Sequence, residues 1–132
     1  MKVWTNGCFD ILHRGHIELF RYAKSLGNEL VVGIDTDEKV KLDKGEDRPI
    51  NNLQDRIMML QSIKYIDKVI PFDSTEDLNN TIKWYKPDIM VIGSDWKGKE
   101  VIGEDIVDEL KLVEFMIGKS STKIINQIQK NN

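Results

Sequence analysis

Three features of the sequence predict an α/β fold: a doubly wound, parallel, five-stranded sheet in one domain covering residues 1–132. Short β-branched or apolar runs alternate five times with stretches whose apolar residues recur at helical spacing. The run Glu29-Leu30-Val31-Val32-Gly33-Ile34-Asp35 is almost continuously apolar, as in a strand covered on both faces. Polar clusters containing glycine or serine follow the strands, and in such sheets ligands bind outside the strands' carboxyl ends.

The elements follow in order. Lys2-Val3-Trp4-Thr5 reads as a first strand. Ile17, Leu19, Phe20, Tyr22, Ala23 and Leu26 then recur at helical spacing, and Gly27 stops the run. After the second strand, Thr36-Asp37-Glu38 resembles a helix start. The polar stretch 39–52, with Gly45 and Pro49, is expected to be loop for much of its length. Leu53 to Ile63 is periodic again. Val69-Ile70-Pro71-Phe72 is a short strand ended by proline, and Ser74 or Thr75 opens a helix through Tyr85. Trp84 and Tyr85 are expected to pack in the core or at its edge. Ile89 to Ile92 and Leu110 to Phe115 are the last two strands. Gly98 to Asp108 between them is expected to be loop plus a short helix. Ser120 caps a final helix with Ile124, Ile125 and Ile128 on one face.

A chain of 132 residues is long enough to bury a real core. Its 40% hydrophobic and 31% charged residues are ordinary for a soluble protein, and its net charge of −3 implies no general polyanion-binding surface. Nucleic acid is therefore not an expected partner. Any phosphate site must be a local gathering of Lys, Arg and helix ends. No apolar run approaches a membrane span, and the N-terminus enters a strand without a signal peptide. Cys8 stands alone and can form no internal disulfide, which fits a reducing cytosol. It reads as a small loop filler rather than a nucleophile.

The chemistry concentrates in Thr5-Asn6-Gly7-Cys8-Phe9-Asp10-Ile11-Leu12-His13-Arg14-Gly15-His16. Both histidines lie here, three residues apart, where a strand-to-helix turn meets a helix N-terminus. The unpaired N–H groups and partial positive charge of such a terminus suit phosphate. Two imidazoles on the opening turn can face one ligand, and Gly15 between them lets backbone and ligand approach closely.

His13-Arg14-Gly15-His16 resembles the His-x-Gly-His signature of the cytidylyltransferase-like nucleotidyltransferases, and the residues before it resemble that family's first strand and loop. The resemblance continues along nearly the whole chain. Lys41-x-x-Lys44-Gly45-x-x-Arg48-Pro49-Ile50 is similar to a loop of the sugar-phosphate adenylyltransferases that activate heptose 1-phosphate. Ile63-Lys64-Tyr65-Ile66-Asp67-Lys68-Val69 is similar to the Arg-Tyr-Val-Asp-Glu-Val segment of cytidylyltransferases, with Lys64 in place of the arginine. Gly93-Ser94-Asp95-Trp96-Lys97-Gly98-Lys99 resembles a segment of glycerol-3-phosphate cytidylyltransferases. Gly118-Lys119-Ser120-Ser121-Thr122 looks like the end of the family's Arg-Thr-Glu-Gly-Ile-Ser-Thr-Thr signature, with Phe115, Met116 and Ile117 where its Arg-Thr-Glu would stand.

The resemblance implies a Rossmann-like nucleotidyltransferase fold and a division of labour. His13, His16, Lys44 and Asp10 would be catalytic. Asn6, Gly7, Cys8, Phe9, Gly15, Gly93, Asp95, Trp96, Ser120, Ser121 and Thr122 would bind the nucleotide. Lys41, Arg48, Arg56 and Lys64 would bind the acceptor. The protein would supply no metal ligand, and Mg²⁺ would arrive bridging the triphosphate. The implied enzyme is a cytoplasmic homodimer. It couples a nucleoside triphosphate to a phosphorylated polyol or sugar and releases pyrophosphate. Chain length and the Asp95-Trp96-Lys97-Gly98-Lys99 segment favour CTP and glycerol 3-phosphate. The Lys44-Gly45-x-x-Arg48-Pro49 segment and the missing arginine favour the alternative, adenylyl transfer from ATP to a heptose phosphate. A nucleotide-binding module without turnover is a third reading.

Overall fold

The computed structural model describes residues 1–93, 100–114, 125 and 128. Among the described residues the elements run β1 (Lys2–Gly7), α1 (Arg14–Ser25), β2 (Glu29–Asp35), α2 (Asp37–Lys44), α3 (Leu53–Gln61), β3 (Lys68–Phe72), α4 (Thr75–Tyr85), β4 (Ile89–Gly93) and β5 (Glu109–Val113). The strands form one sheet in the order β3-β2-β1-β4-β5, and every pairing is parallel. The doubly wound α/β expectation therefore holds.

Side-chain alternation splits the core into two layers. Val3, Leu30, Val32, Ile34, Ile89 and Val91 point to the face that holds Phe20, Ala23 and Leu60 from α1 and α3. Trp4, Val31, Met90 and Ile92 point to the other face, against Leu78, Ile82 and Tyr85 of α4 and Val101. Trp4 can lie flat because Gly33 on β2 has no side chain. A Cβ there would sit 2.5 Å from the Trp4 ring.

The β1–β2 ladder runs the full length of β1, from Lys2↔Glu29 to Gly7↔Ile34. The β1–β4 ladder contains only Val3↔Ile89 and Trp4↔Met90. The two strands thus part towards their carboxyl ends, at the place where the strand order reverses. That is the position where open parallel sheets leave a crevice for ligand.

Some elements depart from expectation. The helix start expected at Thr36-Asp37-Glu38 continues through residues 39–44, expected as loop, to form α2. Thr36 caps its start, Asp37 and Glu38 complement its positive end, and Val40 anchors it by burial. Gly45, at φ +112°, ends it. Pro71 lies inside β3 rather than beyond it, which is tolerated because β3 is an edge strand. Tyr85 is buried as expected, but Trp84 is 70% exposed with the Lys68 ammonium 5.8 Å from its ring. Residues 102–106 form turns. The final helix start at Ser120 lies outside the described residues, although Ile125 and Ile128 are helical.

Gly33→Ala forces the Trp4 indole to move in a packed layer. It should lower stability by about 1–3 kcal/mol, read as a lower urea midpoint with an unchanged slope.

Candidate active site

The turn after β1 is shaped by its own side chains. Phe9 has φ +50°, a left-handed conformation costing on the order of 1–3 kcal/mol in a non-glycine residue. Its ring is buried beneath Gly7, where a Cβ would come within 3.1 Å of it. The same ring meets Phe20 edge-on at 5.3 Å and His16 edge-on at 5.5 Å. Phe9 is thus the floor on which the second histidine rests.

The two histidines cap their own helix. His13 is the N-cap of α1, and its Nδ1 accepts the Gly15 N–H at 3.0 Å. The His13 N–H in turn donates to Nδ1 of His16 at 3.1 Å. The rings stack with centroids 3.9 Å apart and planes 29° from parallel. An accepting Nδ1 carries no proton, so each neutral ring keeps its proton on Nε2. Burial, reinforced by the His13 charge it would have to face, lowers the pKa of His16 to about 4. At neutral pH His16 is therefore an uncharged imidazole, and the two stacked rings, each accepting at Nδ1, present Nε2–H as a donor. Such donors can stabilise charge on a phosphoryl group without giving up a proton.

Arg56 holds the surrounding loops together. Its side chain is wholly buried. Nε donates to the Asn51 carbonyl at 3.0 Å, and Nη1 to the carbonyls of Cys8 at 3.0 Å and Asp35 at 2.8 Å. Nη2 reaches Asp37 Oδ1 at 2.7 Å. Arg56 was expected to bind the acceptor. Instead, one planar fork joins the ends of β1 and β2, the start of α2 and the loop before α3.

Asp10 also differs from expectation. Its carboxylate is fully covered and accepts from Arg48 Nε at 3.3 Å, Ile50 N at 2.8 Å and Asn51 N at 2.8 Å. Asn51 Nδ2 returns a bond to the Asp10 carbonyl at 2.9 Å. This carboxylate anchors the 48–51 loop and is not exposed to reacting atoms. Arg48, expected to bind the acceptor, is likewise buried against it. Neither residue type nor spacing separates an arginine that grips a substrate from one that grips carbonyls. Burial separates them, and burial here depends on long-range pairing.

Lys64 is displaced altogether. It precedes β3, whose first residue Lys68 pairs with Val31 near the start of β2, and Asp67 N donates to the Leu30 carbonyl. It therefore lies at the amino edge of the sheet, opposite the crevice, with its ammonium 5.2 Å from the Tyr65 ring. Its expected acceptor-binding role does not fit that place.

Lys41 and Lys44 are exposed on α2. Lys44 is near enough to the crevice for its charge to act on Cys8 and on Asp35. Burial raises the pKa of the Cys8 thiol, which keeps it protonated and suits the loop-filler reading. Asn6 is the penultimate residue of β1, before Gly7, and its Oδ1 accepts from Trp4 Nε1 at 2.8 Å. Gly15 lies in the histidine cap, and Gly93 ends β4 at the carboxyl edge. Asp95, Trp96, Ser120, Ser121 and Thr122 lie outside the described residues.

A helix N-terminus bearing a fixed His-x-Gly-His pair, set in a crevice at the reversal point of a parallel sheet, defines a nucleotidyltransferase-type α/β domain. A family model described as cytidylyltransferase-like matches residues 4–132, and the chain belongs to that family of nucleotidyltransferases. It is 50% identical to the bifunctional protein HldE of Campylobacter fetus subsp. fetus over 96% of its length, and 50% identical to HldE of Aliarcobacter butzleri over 98%. It spans 28% and 27% of those two relatives. The crystal structure of the lipopolysaccharide core biosynthesis protein from Thermoplasma volcanium superposes with a TM-score of 0.75 at 30% identity, covering 88% of this chain and 98% of that one. Among the described residues, no helix is long and apolar enough to cross a membrane.

The folded state holds His16 neutral, so between about pH 6.5 and pH 4 the unfolded chain binds more protons. Stability contributed by the neutral ring is therefore lost as pH falls through that window, by on the order of 3 kcal/mol at pH 4. In His16→Asn that part of the slope should vanish, as checked by urea melts from pH 7 to pH 4. Arg56→Lys keeps the charge but cannot reach all four oxygens. It should cost about 3 kcal/mol or more in the same melts at pH 7.

Proposed function

We propose that the domain transfers an adenylyl group from ATP to heptose 1-phosphate or a closely similar sugar phosphate. This reading replaces the preference for CTP and glycerol 3-phosphate. The observation that carries it is 50% identity to the HldE proteins across nearly the whole chain, together with the Lys44-Gly45-x-x-Arg48-Pro49 segment. The structural relative named for lipopolysaccharide core biosynthesis supports a sugar-bearing product.

In this reaction an oxygen of the acceptor phosphate attacks the α-phosphorus in line. The bond from the α-phosphorus to the bridging oxygen breaks, and pyrophosphate leaves with that electron pair. The acceptor phosphate is already ionised at neutral pH, so no base is needed. The chain's task is to position the phosphates and meet the negative charge that grows on their oxygens. The Nε2–H groups of His13 and His16 do this at the α- and β-phosphates. Lys44 adds a mobile positive charge from α2, where the acceptor phosphate enters.

Mg²⁺ would come with the triphosphate and neutralise part of its charge. The covered Asp10 carboxylate already accepts three hydrogen bonds and has no room to ligate a metal. We therefore assign the metal no side-chain ligand among the described residues.

The test pairs nucleotide and acceptor. ATP with a heptose 1-phosphate should release pyrophosphate far faster than CTP with glycerol 3-phosphate, and the reverse order would sink the assignment. His16→Ala should lower kcat about a hundredfold while nucleotide affinity changes only a few-fold. Near-normal turnover in a folded His16→Ala protein would remove the histidine pair from the mechanism.

A further inference from the structure

We propose that Asp35 is a specificity-determining residue whose carboxylate accepts hydrogen bonds from the hydroxyls of the acceptor sugar. The proposal rests on the sugar-phosphate reading above and extends it to a residue the family signatures leave aside.

Asp35 is the last residue of β2, at the carboxyl edge of the sheet. Its neighbour Ile34 packs into the α1–α3 layer, so by alternation Asp35 faces the other side, the side of Trp4 and Asn6. Its main chain is fixed, because its carbonyl accepts from Arg56. Its side chain is only 15% exposed, yet among the described residues its one ion-pair partner is Lys39 at 3.3 Å. That lysine stands closer, at 2.7 Å, to Asp43. A carboxylate offers about four acceptor positions. Here a mostly covered one has, among the described residues, a single long side-chain contact. Burial accordingly raises its pKa, against the pull of Lys39. Such a group costs the folded state free energy unless a ligand completes it.

The ligand must bring donors, not phosphate, since an anion would repel the carboxylate. The position also separates acceptor from nucleotide. The histidine pair and the β1–β4 crevice take the phosphates of the nucleotide. Asp35 stands on the opposite side of β1, beside the Cys8 turn, where Asp35 and Lys44 both act on the Cys8 thiol. A sugar phosphate fits this arrangement, with its phosphate towards Lys44 and its hydroxyls towards Asp35. Asn6 flanks the same face. Its Oδ1 is occupied by the Trp4 indole, so its amide N–H groups are the ones it can offer to hydroxyl oxygens.

The test is steady-state kinetics of Asp35→Asn with ATP and a heptose 1-phosphate. We expect kcat/KM for the sugar phosphate to fall about ten- to hundredfold, with KM for ATP unchanged and the melting temperature no lower than wild type. An acceptor lacking the recognised hydroxyl should react equally with both proteins, closing a double-mutant cycle. Asp43→Asn, which touches only the second partner of Lys39, should leave the acceptor KM alone. An unchanged acceptor kcat/KM, a rise confined to the ATP KM, or a loss of stability without a kinetic split would overturn the proposal. If wild-type protein turns over no sugar phosphate, the functional reading itself fails and takes this inference with it. Turnover by wild type with an insensitive Asp35→Asn removes the inference alone.

Discussion

The fold brings its working loops together through one buried cation. Arg56 lies on α3, yet its guanidinium ends at the carbonyls that terminate β1 and β2 and at the start of α2. Burying a guanidinium is costly unless its donors are met. Here backbone oxygens at strand ends, which lack ladder partners, meet them. Each side solves the other's problem. The strand ends gain donors, and the charge gains acceptors. Without that fork, the turn carrying Cys8 and Phe9 would lose its tie to β2, and the histidines would lose a fixed floor.

A second anchor repeats the logic with opposite sign. The buried Asp10 carboxylate gathers the N–H groups of Ile50 and Asn51 and the Arg48 side chain. Asn51 takes part in both anchors: its amide groups serve Asp10 and its carbonyl serves Arg56. A buried anion and a buried cation thus share one loop without touching each other. The crevice wall is a polar network closed by main-chain atoms. Such a network rigidifies when every member is satisfied.

The legibility of the sequence follows this division. Parallel strands read clearly because burial on both faces leaves continuous apolar runs, as in Leu30 to Ile34. The His-x-Gly-His turn read clearly because a local sequence places both rings on one helical turn. Residues whose meaning depends on distant partners did not read. Arg56 and Arg48 look like acceptor-binding groups and Asp10 like a catalytic one in one dimension, and only tertiary pairing turns them inward. Lys64 looks like a site residue in sequence because a short motif carries no information about which edge of the sheet it occupies. The start of α2 is legible at Thr36-Asp37-Glu38, but its continuation to Lys44 is not, because the polar composition hides the single buried contact of Val40. Asp35 is silent in the sequence for a related reason: at the end of an apolar strand it looks like an ordinary boundary residue.

The histidine pair shows how local folding and chemistry use the same atoms. Capping a helix with Ser or Asp would satisfy the first N–H groups equally well. Capping it with histidine does something those residues cannot. Each accepted hydrogen bond fixes a tautomer, and the proton is sent to the far nitrogen of the ring. Burial first, and then the His13 ring stacked 3.9 Å away, oppose protonation of His16. The Phe9 ring beneath His16 deepens that preference by keeping water away. The donors are therefore preorganised before any nucleotide arrives, and they need not reorient as charge develops. The strained backbone of Phe9 belongs to the same arrangement, since a relaxed conformation would withdraw the ring that supports them.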